Sequence, residues 1–377
     1  MTFEEVYDAV VVGARIAGST VASLLGDAGH RVLLVDRATF PSPTISTHFF
    51  RGELAVDVLD QLDVLDAVFD YGPPRLRRRY VYVDGESEPT VEPPQRPGDV
   101  GHSLSVRRET LDHVLVQRAR QPGTVTLAEG TRVTGLHRDD DRVVGARLVD
   151  DDGERSVGAR VVIGADGFDS FVAEAVEAAT VTSTPGFRAL YYRYVRDFPS
   201  PGGGDPDGAE FSFLGDQVAY VFPSDERTTC VAVSFNLEDF EAVKRHRGFV
   251  EGFEAHLARH RGIADRYFSS SPDGRVLGRA PVENYVHVPA GPGWALVGDA
   301  GIHQDPWSGY GIDVASRSGV FLAEAVCDWL VGDVAEDTAT DTMLRACPAG
   351  FVPATRRSEG GHQRHRATPR PSAENRR

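Results

Sequence analysis

Two glycines, an arginine and an aspartate near the start of the chain stand at spacings that can hold an anion. In YDAVVVGARIAGSTVASLLGDAGHRVLLVDR, residues 7–37, Gly13 and Gly18 take the outer positions of a G-x-G-x-x-G pattern. Arg15 stands where the middle glycine would be. The first glycine makes the tight turn out of a strand. The middle one lets backbone approach a pyrophosphate without a Cβ in the way, and the third lets a helix pack close to the sheet. Asp36 follows the turn at about the distance, ~20 residues, where an acid accepts ribose hydroxyls. The stretch reads as a dinucleotide site with one position altered, or as an ordinary βαβ unit that binds nothing. The order of strand, turn, helix, strand and acid favours the first.

Two more strand ends carry similar chemistry. ARVVIGADGFDS, residues 159–170, closes an apolar run with Asp166-Gly167. GWALVGDAGIHQDPWSGYGIDVASRSGVFLAEAV, residues 293–326, closes another with Gly298-Asp299, then a loop holding Pro306, Gly309 and Gly311, then a helix. His48, in STHFFR at residues 46–51, is a candidate base. An imidazole there can orient or deprotonate a substrate, touch a cofactor, or be structural. Period-two alternation pairs Tyr192 with Tyr194, Phe211 with Phe213, and Tyr220 with Phe222 on one face of a sheet. Such a face suits a planar apolar substrate, or is core. Cys230, Cys327 and Cys347 are odd in number and widely spaced, which points to a reducing compartment and no metal site.

The elements that must position these residues are arranged discontinuously. Val10 to Val12 belong to a short β-branched run that reads as a buried parallel strand. A helix over 16–28, ended by Gly29, and a strand over 31–35 follow. Residues 72–100 are Pro-rich with one strand, RRRYVYVDG. A helix over 107–120 and short strands return to α/β patterning. Residues 185–240 are strand-like and aromatic, 239–268 read as helices, and a last helix runs over about 311–331. The expected division is a nucleotide-binding domain from 1–71, 101–180 and 275–336, a substrate domain from 72–100 and 181–274, and a tail at 337–377 without structure. That tail holds eight Arg against two Glu from residue 345 onward. A basic end could touch nucleic acid or acidic partners, but its composition is that of a disordered segment.

The 377 residues carry a net charge of −16, which argues against a nucleic-acid partner for the body of the protein. No run of apolar residues is long enough to span a membrane. The acidic start MTFEEVYD is not a signal peptide of the usual kind, so a cytoplasmic location is expected.

On these motifs the chain resembles flavoprotein monooxygenases of the para-hydroxybenzoate hydroxylase type, a superfamily shared with flavin-dependent halogenases and geranylgeranyl reductases. The resemblance covers roughly residues 6–335. It implies an α/β fold: a Rossmann-like FAD-binding domain with an inserted, mainly antiparallel β-sheet substrate domain. It places FAD, held without a covalent link, against Gly13, Arg15, Ala17, Gly18, Asp36, Arg37 and Arg51. It extends that site to Asp166-Gly167, Gly298-Asp299 and the P-x-x-G-x-G-I-like segment with Pro306, Gly309, Gly311 and Ile312. SVRRETLDHVL resembles the family's R-x-x-L helix start, which implies a phosphate contact for Arg107. Substrate would meet Tyr192, Tyr194, Phe211, Phe213, Tyr220, Phe222 and Trp307, with His48 as the catalytic candidate. The expected activity is hydroxylation of an electron-rich aromatic small molecule with NAD(P)H and O2. The alternatives are a C–C reductase of the geranylgeranyl reductase type and a flavin-binding protein without catalysis. The W-x-W-x-I-P segment and catalytic lysine of tryptophan halogenases are absent. The DG segment continues Ser170-Phe171-Val172-Ala173, without the arginine often found in the family.

Overall fold

The computed structural model describes residues 3–351 apart from 47, 85, 87, 93–100, 247, 281 and 307–308. In chain order it runs through β1 (Val6–Val12), α1 (Ile16–Asp27), β2 (Val32–Val35), α2 (Arg108–Ala119), β3 (Val125–Ala128) and β4 (Gly153–Gly164). It continues through β5 (Arg188–Arg196), β6 (Gly208–Leu214), β7 (Gln217–Pro223), β8 (Thr228–Asn236), β9 (Ser271–Arg279), β10 (Trp294–Leu296) and α3 (Gly311–Val331).

The nucleotide-binding half is built on a parallel core in the order β10-β4-β1-β2-β3. Ala9, Val10 and Val11 of β1 are fully buried, because helices cover one face and a strand hairpin with its own apolar side covers the other. α1 packs closely on α3: a Cβ on Gly319 would press on the Thr20 side chain at 3.0 Å. All three glycine-bearing turns therefore leave the same end of one sheet, the C-terminal ends of β1, β4 and β10, where open α/β sheets bind ligands.

The second half is a seven-stranded sheet in the order β9-β5-β8-β7-β6, extended by strands Arg78–Val83 and Thr90–Glu92. Alternation sorts its side chains by face. Tyr191, Val195, Val231, Val233 and Phe235 turn towards three helices, Leu237–His246, Phe249–Leu257 and Arg261–Ser269. Leu190, Tyr192, Tyr220, Phe222 and Cys230 turn towards Phe49 and Leu76 of the nucleotide-binding half. A small sheet of Thr180–Thr184, Asn284–His287 and Ile302–His303 joins the two halves.

The architecture expected from the sequence is present, with two corrections. β9 pairs with β5, so the return to the nucleotide-binding half falls after residue 279 and not at 275. The segment expected to lack structure from 337 opens with a helix, Glu336–Phe351. Its first residue is anchored: Glu336 accepts from Arg142 at 2.5 Å and from the Gly293 N–H at 3.0 Å. A buried Ala339 follows. Residues 352–377 lie outside the described ones.

Candidate functional site

At the end of β1, Gly13 has φ +104°, and its N–H donates to the Val35 carbonyl at 2.7 Å. A Cβ at Gly13 would collide with the Ala165 carbonyl oxygen, and one at Gly18 with the Gly13 carbonyl oxygen. Both outer glycines are thus required by backbone meeting backbone. The middle position is different. Arg15 has φ −82° and ψ −163°, which any residue adopts. Its side chain turns sideways to Asp112, 2.5 Å, with further bonds to Ser42 and Pro43 and its guanidinium 5.4 Å from the Phe40 ring. The turn therefore survives without its middle glycine. Asp36, at the tip of β2, accepts from the Ala14 N–H and the Ala38 N–H, both at 2.8 Å, so the acid also fixes the turn.

A cleft of about 750 Å³ runs along these strand ends, within the range of cofactor sites. Val35, Asp36, Arg37, Thr131 and Arg132 line one end. Gly13, Arg15, Ala17, Arg108, Asp166, Gly167, Gly298 and Asp299 line the middle. Pro43 to Ser46, Leu190, Arg279, Val282, His303, Pro306, Gly309, Gly311 and Ile312 line the far end. Added Cβ atoms at Gly167 and Gly311 would meet no protein atom within 4 Å, so both backbones are bared to the cleft. Gly311 opens a helix of 21 residues, whose N-terminus presents free N–H groups and a positive dipole end to that space.

Two carboxylates in the wall are perturbed. Burial raises Asp166, which accepts from Ser170 Oγ at 2.5 Å and the Val172 N–H at 3.2 Å beside the start of the short helix Phe171–Ala175, itself capped by Ser170. Burial also raises Asp299, against the pull of His303, Arg108 and Arg279. His303 is 5 % exposed, bonds the Glu283 carbonyl through Nδ1 at 2.6 Å, and packs against Phe168 at 4.9 Å between ring centroids.

Most sequence-derived cofactor residues converge on this cleft, and three do not line it. Gly18 lies beneath the turn. Arg51 is bound to Asp313 at 2.6 Å and to the Gly309 carbonyl at 3.0 Å, behind the loop. Arg107 turns away altogether: its N–H and Nε bind Asp225 at 2.9 and 3.2 Å, and it pairs with Glu226 at 2.5 Å. Its neighbour Arg108 lines the cleft in its place, and Arg108–Leu111 is the pair that satisfies the R-x-x-L spacing. His48, the catalytic candidate, does not line the cleft either. It is 2 % exposed, has φ +67°, and meets the Tyr194 hydroxyl through Nε2 at 2.7 Å. Burial pushes its pKa down to about 3, helped by Arg108 and Arg107.

The sheet aromatics do not line the cleft either. Phe49 stacks on Phe222 at 4.8 Å and meets Phe211 edge-on at 5.8 Å. That contact seals Tyr192, Tyr220 and Phe222 into core, and Phe213 is 36 % exposed away from the seal. Leu190 of β5 is the residue of that face that reaches the cleft. Trp307 lies outside the described residues. Sequence reasoning missed Arg108, Phe168, Arg279 and His303. Arg108 could have been found by applying the R-x-x-L spacing at the next residue. The others depend on where the small joining sheet folds.

Three glycine turns on one parallel sheet, with backbone bared at Gly167, and the N-terminus of a long helix along one cleft suit a flavin dinucleotide. Among the described residues, the ends of the cleft carry the acid Asp36 and the start of a long helix, whose dipole favours negative charge. The class so defined is the FAD-dependent oxidoreductases. Residues 6–195 match the FAD binding domain family, and the chain belongs to it. A digeranylgeranylglycerophospholipid reductase of Methanosarcina acetivorans is 26% identical over 346 residues, 88% of this chain and 78% of that protein. The myxobacterial chondrochloren halogenase CndH superposes with a TM-score of 0.76 at 25% identity, covering 91% of this chain and 79% of that one. PqsL of Pseudomonas aeruginosa, a probable FAD-dependent monooxygenase, superposes with a TM-score of 0.75 at 23% identity, covering 91% and 92%.

Proposed function

We propose that the chain is an FAD-dependent monooxygenase that uses NAD(P)H and O2 to hydroxylate an electron-rich aromatic small molecule. The observation that carries this reading is the far end of the cleft. There the N-terminus of α3 shares the lining with Leu190, Val282 and Phe168, beside Arg279 and His303. FAD, when bound, would supply the redox chemistry: two electrons from NAD(P)H and one O2 account for one oxygen atom in the product and one water. The chain contributes position and electrostatics. The helix start stabilises negative charge on whatever ring lies against Gly311. The apolar side chains of that lining keep water from the reacting atoms. The Gly309 carbonyl, held by Arg51, keeps the loop in place. His48, neutral and bonded to Tyr194, is assigned a positioning role and not that of a base.

A reductase acting on a C–C double bond is the second reading, favoured by the 26% identity to the archaeal reductase over most of both chains. Labelled oxygen separates the two. With a panel of phenols of increasing ring number, one atom from ¹⁸O2 should appear in product, and NAD(P)H oxidation should accelerate with the substrate that fits. Turnover that proceeds equally without oxygen would replace this reading with the reductase.

A further inference from the structure

Among the described residues, His303 is the one histidine in the lining of the cleft. It ends the short strand Ile302–His303, which pairs with Asn284–His287 in the small joining sheet. Its ring packs against Phe168 at 4.9 Å and Tyr285 at 5.6 Å between centroids, and the Tyr285 hydroxyl is itself tied to the Asp299 carbonyl at 2.6 Å. Nδ1 stands 2.6 Å from the Glu283 carbonyl oxygen. A carbonyl can only accept, so in the neutral ring Nδ1 carries the proton and Nε2 the lone pair. Nε2 has no hydrogen-bond partner among the described residues, and it is not sealed from solvent. His303 therefore brings to the cleft a proton acceptor whose tautomer and orientation are both fixed. The charged and titratable groups around this ring and its stacking partner are Asp299, Arg279, Arg108, His287, Asp166 and Asp169. Asp299 favours an imidazolium. Arg279, with its guanidinium over the Phe168 ring at 4.6 Å, and Arg108 oppose it but favour an anion beside it.

We propose that His303 is the catalytic base of this site and that its substrate is a phenol, whose hydroxyl proton passes to Nε2. The inference rests on the hydroxylase reading and deepens it by naming the ionisable group of the substrate. In this step the O–H bond breaks, its electron pair stays on oxygen, and an Nε2–H bond forms. Nothing is oxidised or reduced. The imidazolium keeps its Nδ1–H bond to the Glu283 carbonyl and gains the attraction of Asp299. The phenolate lies in the field of Arg279, and its ring is richer in electrons than that of the phenol. A ring that merely braces the loop before Asp305, or only touches the cofactor, is the competing account.

The test uses FAD-loaded protein with para-nitrophenol as the probe and no NAD(P)H, so its result does not depend on oxygen transfer. Difference spectra against pH follow the phenolate band of the bound probe. Binding of para-nitroanisole, which has no proton to give, reports on the pocket itself. In the native protein the bound probe should carry the phenolate band at about one pH unit below the free probe. His303→Asn keeps a donor for the Glu283 carbonyl and removes Nε2. It should return the ionisation of the bound probe to that of the free probe or above, with FAD content and para-nitroanisole affinity within about twofold of native. Native protein that does not bind the probe, or binds it un-ionised, overturns the proposal. So does His303→Asn protein that ionises the probe like native, or that loses FAD or para-nitroanisole as well. If His303→Asn does not fold, His303→Gln, whose amide cannot take the proton, decides by the same ionisation.

Discussion

Gly13 and His48 are both held in the left-handed region, for different reasons. Gly13 has φ +104° and no room for a Cβ beside the Ala165 carbonyl oxygen, so Gly13→Val should yield protein without FAD. Absorbance of the purified variant near the flavin bands measures this directly. His48 tolerates φ +67° because its side chain is anchored on Tyr194 and packed against Tyr192, centroids 5.4 Å apart. Its pKa falls from 6.5 to about 3, chiefly through burial. The unfolded chain therefore takes up this proton first as pH drops. Stability from the neutral imidazole is present above pH 6.5 and is lost progressively towards pH 3. His260, lowered to about 4 by burial, adds to the same slope. Asparagine accepts positive φ, so His48→Asn should fold with a loss of about 1 kcal/mol at neutral pH from the broken bond to Tyr194. Its stability should then decline less steeply between pH 6 and 4, as urea unfolding at several pH values would show. Neither His48's burial nor its partner was legible in STHFFR, because both come from a strand almost 150 residues away. Gly13's role was legible, because its neighbours in the pattern impose it locally.

The start of α2 shows what an element adds to a residue. Arg107 and Arg108 are adjacent and chemically identical, and the sequence offered no reason beyond spacing to choose between them. Arg107 is the residue before the helix, with a non-helical ψ of 139°, and Arg108 is its first residue, so the two side chains leave the backbone in different directions. Arg107 falls on the side of the turn between β7 and β8, where buried Asp225 also accepts from Thr110 Oγ1 at 2.6 Å and Ser224 Oγ at 2.9 Å. Arg108 falls on the side of the cleft. The two substitutions should therefore separate stability from cofactor binding. Arg107→Ala leaves Asp225 short of its cation and should cost about 3 kcal/mol of stability, with FAD affinity within about twofold of native. Arg108→Ala should weaken FAD about tenfold or more and cost less stability. Chemical denaturation and FAD titration on both variants test the assignment. The opposite pattern would return the phosphate contact to Arg107.

Across the whole molecule, the discontinuous order was readable because parallel strands need long crossovers and antiparallel strands show alternation. Which face of the aromatic sheet stays open was not readable. Alternation placed Tyr220 with Phe222 on one face, and the strand pairing adds Tyr192 to them, but Phe49, from a two-residue strand far away in sequence, closes over that face. The same global placement decides how the cofactor is retained. A covalent link needs a nucleophile at the cleft. Cys230 is fully buried in the aromatic cluster with its thiol pKa pushed up by burial, and Cys327 lies in α3 without lining the cleft. Of the described histidines, His303 is the one in the lining, and its ring is held by the Glu283 carbonyl and by Phe168. Charge, bared backbone and shape therefore have to retain FAD, and all three are lost on unfolding. Acid precipitation of the purified protein should release the yellow colour wholly into the supernatant, as FAD by mass spectrometry. If colour stays with the precipitate, a bond exists, and His303→Ala tests its site: colour that then becomes soluble would assign the link to His303. A native protein that is colourless and takes up no added FAD would overturn the cofactor site itself.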